Sequence, residues 1–466
     1  MITAKQIHFI GIGGISMSGL AELLHKNGHI VSGSDWAKSD ITAYLESIGI
    51  TVKIGNKPDY ITKNIDLVVY TAAVKPDNPE FAQAVKQNIP TINRAELLGL
   101  IMQNYQHTVA VAGVHGKTTT TSIVAKILLA ADCNPTISIG GLMDMGETTS
   151  NLHIGGSKYL VLEACEYFDS FLQLFPQIGI ILNIDADHLD YFKTLDGLVD
   201  SFVKFAQNIA KKGTLIIHAQ NPYLKDITEG LECDVILYDL KRTKGLWARN
   251  IRYSKGKPIF SIMHNEEELA EVTLNLYGEH NIENVLAAAA AALSLGLPIS
   301  KIQKGLSGAV SPKRRFEYKG AVNGVAIIDD YAHHPTEMQA SLKTAKQLGY
   351  KRIICAFQSH TYSRTANLLE EFARSFENAD IVLVLPIYAA RETEPGLPNS
   401  LAKKLTKQIQ ALGKEAYFGD FDFAAEWIKK NSKAEDLLIT MGAGDVHILG
   451  ERFLNIKDVL FLGNDF

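Results

Sequence analysis

The sequence predicts an α/β protein made of three successive units, each a largely parallel sheet covered by helices. Two observations carry this reading. Short β-type apolar runs alternate with helical patterns almost throughout the 466 residues, which is the signature of βαβ crossovers. Two glycine loops, Gly11-Ile-Gly-Gly14 and Gly113-Val-His-Gly-Lys-Thr118, each stand between such a run and a helix-like stretch. A chain of this length also exceeds what one hydrophobic core serves.

In the first unit, Gln6 to Ile10, His29 to Gly33 and Ile65 to Tyr70 read as strands and Met17 to Lys26 as a helix, with Asp35 closing the second strand. The layout is Rossmann-like. Ser16 stands where a dinucleotide fingerprint has its third glycine. A hydride-carrying cofactor would also leave the second loop without a purpose. The diphosphate of a nucleotide-linked substrate is the ligand expected at this first loop.

The second loop is the sharper signal. His107 to Ala112 reads as a buried strand, and Thr118 to Ala131 puts Ile123, Val124, Ile127, Leu128 and Ala131 on one helical face. Between them, backbone N–H groups at a helix start cradle phosphate, Lys117 reaches the terminal phosphates and Thr118 offers a hydroxyl to Mg²⁺. The spacing departs from the standard P-loop, which asks for glycine at 111, where this chain has valine. ATP is the expected ligand. Tyr159 to Glu163 and Ile178 to Asn183 follow as buried-type strands, bringing Glu163, Asp185, Asp187 and His188 toward Lys117 and Thr118. Carboxylate, hydroxyl and imidazole beside phosphates suit Mg²⁺.

Later in this unit the turn Ser254-Lys-Gly-Lys257 implies a hairpin and added antiparallel strands. The alanine-rich stretch Val285 to Ile299 reads as a buried helix, too short for a membrane span. The third unit repeats the βα rhythm, with strands at Val325 to Ile328, Arg352 to Phe357, Asp380 to Leu385 and Asp436 to Met441. Each is followed by a polar cluster: Asp329 to Pro335, His360 to Arg364, Tyr388 to Glu392 and Gly442 to Asp445. Ligands of open α/β sheets bind beyond the carboxyl ends of strands, so these four loops are expected to converge on one binding face.

Composition narrows the class of function. With 46 basic and 51 acidic side chains the net charge is -5, which argues against nucleic acid or a membrane surface as partner. The opening residues have no signal-peptide layout. Four cysteines, Cys133, Cys165, Cys233 and Cys355, show neither metal-type pairing nor a disulfide framework, as expected of a cytoplasmic protein.

These motifs together resemble the Mur ligases of bacterial cell-wall synthesis. The likeness covers essentially the whole chain. It rests on Gly11 to Gly19 with Gly33-Ser-Asp35, Asp77-Asn-Pro-Glu80, Arg94-Ala-Glu96, Gly113 to Thr119 and Asn183 to His188. It continues through Gly278 to Asn284, Lys313 to Glu317, Asp329 to Pro335, His360 to Arg364 and Gly442 to Asp445. The resemblance implies a UDP-sugar-binding Rossmann-like domain (1–104), a P-loop ATP-binding domain with added antiparallel strands (105–312) and a Rossmann-like amino-acid-binding domain (313–466). It also implies a reaction in which ATP, UDP-N-acetylmuramate and L-alanine give ADP, phosphate and an amide, through an acyl phosphate that the amine displaces. The expected cofactors are ATP and Mg²⁺, and the expected assembly is a monomer or homodimer.

By the same resemblance, Gly113, His115, Gly116, Lys117, Thr118 and Thr119 hold the phosphates, and Thr118, Glu163 and His188 surround the metal. His280, Asn281 and Asn284 face the adenine region, while Arg314 and Asp330 approach ATP from the third domain. His333, His360 and Arg364 line the junction of carboxylate and amine, with Lys117, His188, His333 and Arg364 as catalytic candidates. Gly13, Gly14, Ser16, Met17 and Asp35 take the UDP end. Two features depart from the family pattern: Cys165 stands where an aspartate is common, and Lys204 does not align with the carbamylated lysine of sister ligases. Three alternatives stay open: a ligase that adds a ready-made tripeptide to the same sugar, a non-catalytic nucleotide-binding regulator, and a dehydrogenase using the first loop.

Overall fold

A computed structural model describes residues 2–71, 74–144, 149–390, 392–393, 396 and 399–454. Its contacts divide into two compact units. The first holds residues up to Trp247 together with Leu286–Gly305, and the second holds Ala248–Val285 and the chain from Leu306.

The first unit contains two sheets. Strands β1 (Gln6–Ile10), β2 (Ile30–Asp35), β3 (Thr51–Ile54), β4 (Leu67–Tyr70) and β5 (Thr91–Asn93) form a parallel sheet in the order β3-β2-β1-β4-β5. The glycine loop after β1 leads into the helix Ile15–Lys26, two residues earlier than expected because Gly14 serves as its N-cap. Strand β2 runs past Gly33 to Asp35, since Ser34 and Asp35 pair with Lys53 and Ile54.

The second sheet runs through β6 (His107–Ala112), β7 (Thr136–Asp144), β8 (Thr149–His153), β9 (Tyr159–Glu163), β10 (Ile178–Ile181), β11 (Thr214–His218) and β12 (Asp234–Asp239). Their order is β8-β7-β9-β6-β10-β11-β12, parallel except for the β7/β8 pair. The second loop therefore lies where parallel neighbours flank β6 on both sides, and β9 and β10 deliver their own C-terminal loops to the same edge. The helix Lys117–Ala130 is buried on every side over Thr118–Ala125, so its packing is wider than the single apolar face read from spacing.

In the second unit, β13 (Leu246–Ser254) and β14 (Lys257–His264) are joined by a turn with positive φ at Lys255 and Gly256, the pairing typical of tight hairpins. β14 pairs antiparallel with β15 (Glu267–Thr273). The alanine run, which belongs to the first unit, lies in the helix His280–Ser294, with Val285 to Ala292 at most 1% exposed. That helix starts earlier and stops earlier than the apolar stretch, and Gly296 with φ +74° turns the chain just beyond it.

The last sheet contains β16 (Glu317–Val322), β17 (Val325–Asp330), β18 (Arg352–Phe357), β19 (Ile381–Val384), β20 (Glu415–Phe418) and β21 (Asp436–Met441), ordered β16-β17-β21-β18-β19-β20. All pairs are parallel except β16/β17. Strand β17 continues two residues beyond the expected Ile328. Aspartate is disfavoured in strands, yet Asp329 and Asp330 pair with Thr440 and Met441, and Thr440 Oγ1 donates to Asp329 Oδ1 at 2.7 Å. No helix among the described residues is long and apolar enough to cross a membrane.

Candidate active site

The valine at 111 belongs to the strand, not the loop. Val111 is fully buried in β6, paired with Glu163 of β9 and Ile180 of β10. The chain first turns at Gly113, with φ +135°, where a Cβ would lie 2.9 Å from Leu182 Cβ. Gly116, with φ +86°, then caps the helix Lys117–Ala130. Both positions need glycine, because an L-residue is strained at such φ. Asn183 braces the loop by accepting from His115 N at 2.8 Å and donating to His115 O at 2.9 Å. The His115 ring meets Asp185 at 3.1 Å.

Lys117 is the centre of this site. Its Nζ donates to Gly113 O at 2.7 Å, to Val114 O at 3.2 Å and to the two Glu166 oxygens at 3.1 and 2.9 Å. Burial alone would lower the ammonium; the nearby carboxylates, Glu166 above all, outweigh it and hold Lys117 above the usual lysine range. Thr118 Oγ1 donates to Glu163 Oε2 at 2.9 Å, and the same oxygen accepts from Gly140 N at 2.7 Å. Thr119 lies in the first helical turn and is 9% exposed. His188, at φ +53°, stacks on Tyr167 with ring centroids 4.3 Å apart and puts Nε2 3.9 Å from Glu166 Oε1. Burial and Glu166 push the Cys165 thiol up to about 11. A hydroxyl and a carboxylate in contact fit a hard oxygen-seeking cation such as Mg²⁺, and the His188 imidazole faces the neighbouring Glu166.

At the first loop, Gly11 (φ +81°) reverses the chain, and the N–H groups of Gly11 and Ile12 donate to Ser34 O. Gly13 N donates to Asp35 Oδ2 at 2.7 Å, and a Cβ at Gly13 would lie 2.8 Å from that oxygen. Ser16 Oγ accepts from Arg94 Nη1 at 3.1 Å. Met17 packs in the core at 3% exposure, so only its backbone can serve a ligand. Other parts of the quoted motifs are structural. Asn93 and Glu96 form a capping box, Asn78 caps the helix Pro79–Lys86, and Glu80 is buried against His8 Nε2 at 2.9 Å.

In the second unit the four polar loops converge. Arg314 donates to Asp329 Oδ2 at 3.0 Å and to Gly442 O and Gly444 O at 2.8 and 3.0 Å. Thr361 N bonds Tyr388 O at 2.9 Å, and Tyr388 N bonds Ser359 O at 2.9 Å. The His360 ring stacks on Tyr388 and lies 6.0 Å from His333, while Arg364 Nη1 donates to His360 Nδ1 at 3.2 Å. His333 is itself held between Tyr331 O and Glu337. Glu392 accepts from Tyr362 N and Ser363 N at 2.6 and 2.9 Å, fixing the start of the helix that carries Arg364. Arg391, within the same polar cluster, lies outside the described residues. Asp330 is buried, which pushes its carboxyl up to about 6, while Ser341 Oγ and Ala332 N donate to it.

Of the adenine-region candidates, His280 is depressed below the usual histidine value by burial. The Asn281 amide donates to Tyr277 O at 2.7 Å, and Asn284 donates to Asn281 at 2.9 Å. The residues that sequence reasoning left unassigned are Glu166, Asn183, Asp329 and Glu392. Glu166, Asn183 and Asp329 sit just past a strand's C-terminal end or at its last residues and Glu392 lies in the loop that follows β19, so position in the βα pattern was the available signal.

Known proteins match in the same arrangement. The model of the Mur ligase family catalytic domain matches residues 6–106, that of the Mur ligase middle domain 111–292, and that of the Mur ligase glutamate ligase domain 314–444. The UDP-N-acetylmuramate--L-alanine ligase of Clostridium novyi is 46% identical over 97% of this chain and 98% of its own length. That of Agathobacter rectalis is 47% identical over 96% and 97%. Among solved structures, the UDP-N-acetylmuramate-alanine ligase of Thermotoga maritima aligns with TM-score 0.79 at 29% identity, over 97% of this chain and 98% of that one. A murein peptide ligase from Psychrobacter arcticus aligns with TM-score 0.68 at 26% identity, over 98% of this chain and all of that one. With three family models in order along its length and full-length relatives of this similarity, the chain belongs to the Mur ligase family.

Proposed function

We propose that this protein joins L-alanine to UDP-N-acetylmuramate at the expense of ATP, an early step in building the peptidoglycan precursor. The observation that carries this reading is near-identical length and 46% identity to the Clostridium novyi alanine ligase, together with a second loop whose lysine, threonine and glutamate are intact. The tripeptide-adding alternative has its support in the Psychrobacter arcticus structure, a more distant likeness at 26% identity. A cytoplasmic location belongs to this reading, because its chemistry consumes ATP. Domain borders near 104 and 312 belong to this reading, as does action as a monomer or homodimer.

A carboxylate resists attack by an amine until one oxygen becomes a leaving group. In the proposed reaction the lactyl carboxylate of the sugar attacks the γ-phosphorus, ADP leaves, and the acyl phosphate is then opened by the alanine amine with release of phosphate. Phosphoryl transfer of this kind depends mainly on positioning and charge neutralisation. Lys117 supplies a fixed positive charge at the β- and γ-phosphates, and the N–H groups of the first turn after Gly116 point at the same anion. Thr118, Glu163 and His188 would hold Mg²⁺, which neutralises phosphate charge when bound. His280, Asn281 and Asn284 take the adenine side, with Arg314 and Asp330 serving ATP. His333, His360 and Arg364 receive the amino acid, whose α-carboxylate suits the planar guanidinium of Arg364. Gly13, Gly14, Ser16 and Asp35 take the UDP end.

Phosphate release tests the proposal. It should require UDP-N-acetylmuramate and rise steeply with L-alanine, and a higher kcat/KM for the tripeptide L-Ala-γ-D-Glu-diaminopimelate would replace alanine as the acceptor.

A further inference from the structure

Glu166 is nearly inaccessible, at 1% exposure, and both of its oxygens contact Lys117 Nζ. An ammonium has three protons to give. Around Lys117 four acceptor oxygens share them: two from loop carbonyls at Gly113 and Val114, and two from Glu166. The carbonyls belong to a loop fixed by Asn183 and by the two positive-φ glycines. A phosphate can therefore gain Lys117 only by taking over what Glu166 holds.

We infer that Glu166 is a positioning residue for Lys117: its carboxylate stands in for a phosphate oxygen, keeps the ammonium aimed from the loop, and hands it to the triphosphate in a competition that lowers ATP affinity. This inference rests on the reading of the second loop as the ATP site. The device has a clear physical rationale. A buried ammonium with no counter-charge is costly, so a lysine waiting at this depth needs an anion, and only an exchangeable one permits catalysis. After the exchange the Glu166 carboxylate remains close to His188, whose Nε2 is 3.9 Å away.

The test uses the full-length protein and titrates β,γ-imido-ATP with Mg²⁺ by calorimetry. Wild-type protein must bind the nucleotide; if it does not, the ATP reading of the loop fails first. With binding established, Glu166→Gln removes the competing charge and should bind the analogue about tenfold more tightly, a typical return for releasing one charged hydrogen-bond partner. In a Lys117→Met background, Glu166→Gln should leave analogue affinity unchanged and should raise Tm, because it removes a buried carboxylate that has lost its partner. Unchanged or weaker binding by the folded Glu166→Gln protein overturns the inference. So does an effect of Glu166→Gln on affinity that persists undiminished without Lys117.

Discussion

The two glycine loops share a backbone plan and differ in what they do with their donors. Both follow a central parallel strand, turn at a positive-φ glycine and open a helix. In the first, Gly13 N is engaged by the Asp35 carboxylate and the nearby cation, Arg94, comes from a distant helix to Ser16. In the second, the cation is part of the loop itself and is matched by a buried carboxylate. In the proposed reaction the first loop positions a ligand that carries its own recognition features, and the second concentrates charge where the phosphoryl group is transferred.

Breaking the second loop should have the larger consequences. Lys117→Ala removes the preorganised charge of a phosphoryl-transfer site and should reduce phosphate release about a hundredfold or more. Near-normal turnover in a folded variant would move the chemistry elsewhere.

Backbone substitutions sharpen the contrast further. Gly113→Ala places a Cβ at 2.9 Å from Leu182 at φ +135° and should cost about 2 kcal/mol or more in urea unfolding. Gly14→Ala, with φ -63° and its nearest neighbour at 3.6 Å, should cost less than about 1 kcal/mol. Equal losses would mean that the second loop's positive-φ turn is no more constrained than the helix N-cap of the first.

A third outcome concerns pH in the second unit. Asp330 has its carboxyl raised to about 6 by burial, from the 3.8 of an exposed aspartate. The folded state therefore binds this proton more tightly, and the stability that comes from protonation is present below about pH 4 and lost as pH rises through about 6. Asp330→Asn keeps a neutral group at every pH. Its Tm should exceed the wild type's at pH 8, by the equivalent of about 1–3 kcal/mol, and the difference should shrink toward pH 4. A gap that does not narrow would contradict this. The smallest effect expected on activity is that of Arg364→Lys, which keeps charge but loses the planar fork. It should raise KM for L-alanine severalfold, by about 1 kcal/mol, while KM for ATP stays within about twofold, as read by steady-state phosphate release.

Much of this was legible in the residues. β1, β6, β9, β18 and β21 have the ends that periodicity predicts, and the second loop's Lys117, Thr118 and Glu163 meet as its spacing implied. What sequence could not separate was a motif's chemical members from its architectural ones. Glu96 and Glu80 look like site acids in the string, yet one caps a helix and the other is buried against His8. Glu166 reads as ordinary loop polarity and becomes the partner of Lys117 only once β6 and β9 lie side by side. Burial and hydrogen-bond partners are properties of the packed sheet, and a linear pattern carries them only through position.

The central claim is that the two loops hold two different ligands. Calorimetry of full-length protein with UDP-N-acetylmuramate and with Mg²⁺ β,γ-imido-ATP, on Lys117→Ala and Gly13→Ala, tests it most directly. Lys117→Ala should lose about tenfold or more in analogue affinity and keep the UDP-sugar within about twofold. Gly13→Ala, whose added Cβ meets Asp35, should show the reverse pattern. If either substitution weakens both ligands equally, or if Lys117→Ala abolishes UDP-sugar binding alone, the assignment of one ligand to each loop is wrong.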